Sequence, residues 1–171
     1  MIATLVGVAA AGTAGVALLG ALPGWIAGDR GMARVRTVQD AERRLAARII
    51  IPAFFPDRLG WPPAEVRVAG GRGGSVLLAF GDRAGAPSLL LAQGSHAGAG
   101  IAPGLLGSPR VVASRETAVG SRPARLSTVV VGGEVWQELA WKVNGRAFVL
   151  RSRGGLDELF RIAHSTGGET R

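Results

Sequence analysis

The sequence predicts an α+β protein: an N-terminal transmembrane helix, then a curved antiparallel sheet of about six or seven strands, with one helix before it and one C-terminal helix. Three observations carry that prediction. The run from Ile2 to Gly28 has no charged side chain. Gly132-Gly133 and Asn144-Gly145 interrupt alternating apolar segments, and both dipeptides tolerate the positive φ that two-residue hairpin loops require. Near the C-terminus, Leu156, Leu159, Phe160 and Ala163 recur at helical spacing.

At ~1.5 Å per residue, a helix over Ile2–Gly28 exceeds the ~30 Å hydrocarbon core of a bilayer. It has no polar face with which to pack as a soluble helix. Gly7, Ala11 and Gly15 form a small-residue stripe through which two such helices could associate as a homo-oligomer. Trp25 and Arg30 fit the membrane interface at the exit. A cleaved signal peptide is the competing reading, although no basic n-region and no clear A-x-A site stand in it. Arg30, Arg34, Arg36, Arg43, Arg44 and Arg48 all follow the segment, and charge alone would place them in the cytoplasm. The division expected is 1–28 anchor or signal peptide, 29–37 juxtamembrane linker, 38–166 one domain and 167–171 disordered tail.

Val38, Ala41, Leu45 and Arg48 share one helical face, which predicts a short helix over Thr37–Arg48. Ile49, Ile50 and Ile51 then meet Pro52, and Pro56 closes a PAFFP corner that cannot remain helical. That corner is either buried or waiting for a partner. Strands follow at about 64–69, 75–80, 88–93, 110–117, 124–131, 134–143 and 146–152, joined by Gly-bounded turns. Leu139, Trp141 and Val143 mark the core face of one strand, and Glu138 and Lys142 a wet face. Trp136 falls on the wet side, as a ligand-stacking residue or as one lying beneath a loop. Gly94–Ser108 is long and Gly-rich yet contains Ile101, Leu105 and Leu106, the pattern of a binding loop, a lid or a disordered segment. Asp157 and Glu158 favour the first turn of the last helix, entered through Gly154-Gly155 without a strong cap.

The chain has 20 Lys and Arg against 12 Asp and Glu, a net charge of +8, and Lys142 is the only lysine. Such a surface attracts anionic lipid or other polyanions. The arginines do not gather on one element with interleaved aromatics, so nucleic-acid binding is disfavoured. No cysteine is present, which removes disulfides and thiolate chemistry. Neither a phosphate-cradling G-x-x-x-x-G-K-[ST] nor a zinc H-E-x-x-H occurs, and the G-x-S-x-G elbow is missing. The two histidines, His96 and His164, lie far apart in sequence. A small hydrolase using His96 is therefore a minor reading, and no cofactor or metal is expected.

The isoleucine run into Pro52–Pro56, the strands VLLAFGD and LLLAQ, and the final LAWKVNGRAFVL and LDELFRIAHS together resemble the bacterial family known as domain of unknown function 4367. Trp141, Asn144-Gly145, Phe148 and Leu156–Ser165 stand where that family carries a Trp-bearing strand, a Gly turn, an aromatic strand and a closing helix. The resemblance spans Val38 to Ser165. It implies a single membrane segment, a domain outside the cytoplasm, and similarity to lipoprotein-carrier and sigma-regulator sensor domains that bind acyl chains on a curved sheet. No catalytic residue carries over. The expectation is a non-enzymatic, membrane-anchored binding or sensor domain for an acyl chain, lipid or peptide, with Ile101, Leu105, Leu106 and Trp136 as the ligand contacts. The alternative is a scaffolding membrane protein, with a protein partner and no ligand pocket.

Overall fold

The computed structural model describes residues 31–71, 73–82 and 85–166. In order these form β1 (Met32–Val35), α1 (Val38–Leu45), β2 (Glu65–Ala69), β3 (Ser75–Gly81), β4 (Pro87–Gly94), β5 (Arg110–Val119), β6 (Arg122–Val131), β7 (Glu134–Val143), β8 (Arg146–Ser152) and α2 (Leu156–Ser165). One sheet takes all eight strands in the order β1-β2-β3-β4-β8-β7-β6-β5. Every neighbouring pair is antiparallel.

Turn chemistry sets the register of the second half. Gly132 and Gly133 have φ of 59° and 86°, and Asn144 and Gly145 have 49° and 77°. Positive φ at both central residues matches the turn to the twist of the flanking strands. Val131 therefore faces Glu134, and Val143 faces Arg146. A third hairpin turns at Gly120, with Val119 opposite Arg122.

Register then lines up Val66, Leu78, Leu91, Leu150, Leu139 and Leu126 as one row across β2, β3, β4, β8, β7 and β6. A second row on that face holds Val68, Val76, Gln93, Phe148, Trp141 and Ala124. The Trp141 and Phe148 rings stack with centroids 5.4 Å apart. Both helices cover this face, α1 through Ala41 and Leu45, α2 through Leu159, Ile162 and Ala163.

Thr37 and Asp40 form a reciprocal capping box at the start of α1. The hydrogen bond with Thr37, and then Arg43, hold the Asp40 carboxyl below its usual value. The helix predicted to reach Arg48 stops at Leu45, because Ala46 turns left-handed at φ 51° and its N–H caps the carbonyls of Arg43 and Glu42. Beyond it the isoleucine run crosses the core face as a strap. Gln93, fully buried on β4, accepts from the Ile50 N–H at 2.9 Å and donates to the Ile50 carbonyl at 2.8 Å. One side chain thus satisfies both backbone groups of a segment that lies outside the sheet.

Several expectations change. The sheet has eight strands, not six or seven, and the extra one, β1, lies inside the stretch read as a 29–37 linker. It pairs with β2 from Met32–Ala69 to Val35–Val66, so the folded unit begins before residue 38. Neither face is simply wet: β3 is buried throughout and β4 from Ser88 onward, so their apolar residues run continuously instead of alternating. The PAFFP corner is half-buried, with the Phe55 ring 4.9 Å from Phe80 and 6.2 Å from the exposed Trp61. The helix over Leu156–Ser165 forms as predicted, with Gly155 at its N-cap and no side-chain cap. The anchor, its Gly7, Ala11 and Gly15 stripe, Trp25, Arg30 and the 167–171 tail lie outside the described residues. Among the described residues no helix is long and apolar enough to cross a membrane.

Replacing Gln93 with leucine leaves the Ile50 N–H and carbonyl without partners. Gln93→Leu should cost about 2–4 kcal/mol, since each buried unsatisfied group costs about 1–3 kcal/mol. A lower urea midpoint with unchanged slope, together with faster exchange of the Ile50 amide hydrogen, checks this.

Candidate functional site: a cleft beneath the crossover

β4 and β5 run parallel, with β8, β7 and β6 between them. At ~4.8 Å per strand spacing they are about 19 Å apart. A connection between parallel strands must also travel back along the strands, which takes a dozen or more residues and is usually a helix. Here residues 95–109 do it without one. The length of the Gly-rich loop therefore has a topological cause.

Close approaches pin its path over the face opposite the helices. A Cβ on Gly94 would lie 2.3 Å from the Ala99 carbonyl oxygen, so only glycine lets the loop fold back there. The Gly98 N–H donates to the Gly145 carbonyl at 3.1 Å, and the Ala102 N–H to Ser75 Oγ at 3.0 Å. Leu105 is then buried against Leu77, Ala79, Leu90, Ala92, Val129 and Trp136, a second core on this side of the sheet.

Between loop and sheet lies a cleft of about 380 Å³. Leu77, Leu90, Val131 and Trp136 line it from the sheet side, and Leu105 and Leu106 from the loop. Ala86 and Gly132 line it from the β3–β4 and β6–β7 turns, Pro87 and Glu134 from the strand starts that follow them, and Arg151 and Arg153 complete the wall. This is within the range of small-molecule sites, which are mostly apolar with a few placed polar groups.

The polar groups come in two pairs of different character. Arg151, opposite Glu138 in the β7–β8 ladder, has a side chain only 2% exposed. Its Nε and Nη2 donate to Glu138 Oε2 at 2.9 and 2.5 Å, and its Nη1 donates to the Leu106 carbonyl at 2.7 Å. One guanidinium thus ties the loop to the sheet. Arg153 is looser: its Nη2 lies 2.6 Å from Glu134 Oε2, with side chains 34% and 52% exposed. The Arg153 guanidinium carbon also sits 4.7 Å from the Trp136 ring centroid, within cation–π range.

Leu105, Leu106 and Trp136 thus meet in one cleft, while Ile101 packs on the same cluster without lining it. Trp136, expected on a wet face, is instead buried beneath the loop, as the second of its two readings had it, and it also lines the cleft. Its Nε1–H is buried without a hydrogen-bond partner, as is that of Trp141 on the helix-covered face. Leu77, Leu90, Glu134, Glu138, Arg151 and Arg153 were not among the expected site residues. A signal for the buried pair exists: a two-residue turn at Asn144-Gly145 places Glu138 opposite Arg151 by counting alone. The histidines do not converge: His96 Nδ1 is 3.0 Å from Ser95 Oγ at the start of the loop, and His164 lies beside the β5–β6 turn. No group of three or more metal-binding side chains forms among the described residues.

Arg151→Met strands the Glu138 carboxylate and the Leu106 carbonyl. Breaking a buried pair costs about 3–5 kcal/mol, and the loop should become the first site of limited proteolysis. Removing both charges in Arg151→Met with Glu138→Leu should recover part of that loss in a double-mutant denaturation cycle.

No family model, no curated protein and no solved structure matches the chain.

Proposed function

We propose that residues 31–166 form a non-enzymatic binding or sensor domain whose ligand lies in the cleft beneath the crossover loop, held outside the cytoplasmic membrane by the segment at 1–28. The observation that carries the reading is the cleft itself: leucines from sheet and loop enclose about 380 Å³ beside two arginines. Apolar side chains around such a volume favour an apolar ligand, because each buried CH₂ contributes roughly 0.8 kcal/mol. The uncharged run Ile2–Gly28 supports the anchor, and the resemblance to the 4367 family supports the outward orientation against the arginine bias. A scaffolding role is the second reading. Val111 and Val112, each 57% exposed on the edge strand β5, favour it because isolated apolar edges recruit partners.

Two measurements test the proposal. A fluorescent naphthalene dye small enough for the cleft, such as 1-naphthol, should bind one per chain, and Leu106→Glu, which places a charge in the cleft wall, should weaken it at least tenfold without changing the circular dichroism. A dye indifferent to Leu106→Glu would remove the cleft as the site. C-terminal fusions should be active with a reporter that works only outside the cytoplasm, and dark with one that fluoresces only inside.

A further inference from the structure

We propose that the ligand is a monomeric amphiphile with a single apolar tail and a carboxylate head, and that Arg153 receives the head at the cleft mouth by exchanging Glu134 for it. This rests on the binding reading above and adds the chemical class of the ligand.

The two arginines differ in what they have left to give. Arg151 is committed on both sides, to Glu138 and to the Leu106 carbonyl, and is sealed from solvent. Arg153 has one carboxylate partner, on a side chain that is 52% exposed and belongs to the first residue after a two-glycine turn. An exposed ion pair contributes little, because each charge is well solvated when they part. Swapping one carboxylate for another on the same guanidinium is close to neutral in electrostatics, and the planar fork suits a carboxylate in either case. What decides the exchange is the tail, since only the incoming carboxylate brings apolar surface into the cleft.

Position supports the same class of ligand. The Arg153 N–H donates to the Ser88 carbonyl at 3.1 Å, which fixes the residue beside β4 just past the end of β8. Its guanidinium lies over the Trp136 ring and is partly exposed, whereas Leu77, Leu90 and Leu105 of the same lining are buried. A head on Arg153 therefore directs a tail along Trp136 toward Leu105 and Leu106. At about 30 Å³ per water-sized group, the cleft holds roughly a dozen heavy atoms, the size of a medium-chain fatty acid. The net charge of +8 draws anions toward the protein and repels cationic amphiphiles.

The test uses the full chain in phosphatidylcholine nanodiscs, with titration calorimetry of decanoate, decanol and decyltrimethylammonium against discs lacking protein. Decanoate should bind one per chain and at least tenfold more tightly than decanol, with the cationic amphiphile weakest. Arg153→Gln should bring decanoate down to the level of decanol and leave decanol unchanged. Glu134→Gln should tighten decanoate several-fold, because it removes the internal competitor, an effect that loss of structure would not produce. Equal affinity for decanoate and decanol would overturn the carboxylate assignment while leaving the cleft reading intact. Failure of all three to bind would overturn both. If phosphatidylglycerol in the discs abolishes decanoate binding, the ligand is a membrane lipid and the monomeric class is wrong.

Discussion

The pairing of β4 with β8 is the constraint from which the rest of this architecture follows. Each half of the sheet, β1–β4 and β5–β8, is antiparallel within itself, and the seam joins strands whose facing residues are about sixty positions apart. Because β8 is the last strand of its half, the chain leaving β4 must first reach the far edge and begin β5 there. No helix is available for the journey, so an extended, Gly-rich crossover lies across the face that α1 and α2 leave uncovered. A roof made of a loop packs less completely than one made of a helix, and the cleft is the space it leaves.

The seam also explains why charge is tolerated inside. Central strands in a sheet covered on both sides become apolar throughout, and Leu77, Leu90 and Ala92 show this on the loop side. Arg151 stands in the row of Leu90, between it and Glu138. Its burial is balanced by the carboxylate beside it and by a loop carbonyl that would otherwise face apolar side chains. Gln93 performs the equivalent task on the other face, where the isoleucine strap needs two backbone partners. In each case one long polar side chain of β4 or β8 fastens a segment that the sheet's own ladder cannot reach.

What could be read from the chain in advance was what local chemistry decides. The Gly132-Gly133 and Asn144-Gly145 turns and the Leu156–Ser165 helix depend on residues within a few positions of one another, and they stand where the pattern put them. β1 could not be read: Met32–Val35 has only four residues, and it pairs with β2, more than thirty positions away. The two-sided burial of β3 and β4 depends on the crossover, which no pattern within those strands encodes. The site was half legible. Leu105, Leu106 and Trp136 stood out as apolar residues in polar surroundings, but the arginines did not, because nineteen of them are spread through the chain and only register separates a buried one from the rest.

The same geometry bears on how a ligand would enter. The crossover is held to the sheet by the Ala102 and Leu106 hydrogen bonds and by Leu105, and to the β7–β8 turn by Gly98. Lifting its middle breaks the first two bonds and uncovers the apolar cluster around Leu105, whereas disturbing the sheet at its centre would break ladders on both sides of β4 and β8. Local opening of this kind lies at the low end of the free-energy scale for native proteins, far below global unfolding. Arg151 bonds at once to the crossover's Leu106 carbonyl and to the Glu138 carboxylate of β7, so parting the loop from the sheet there would also strip a partner from a buried guanidinium. The architecture divides its labour: the β4–β8 seam joins the two halves of the sheet, and a single buried guanidinium fastens the crossover that roofs the cleft.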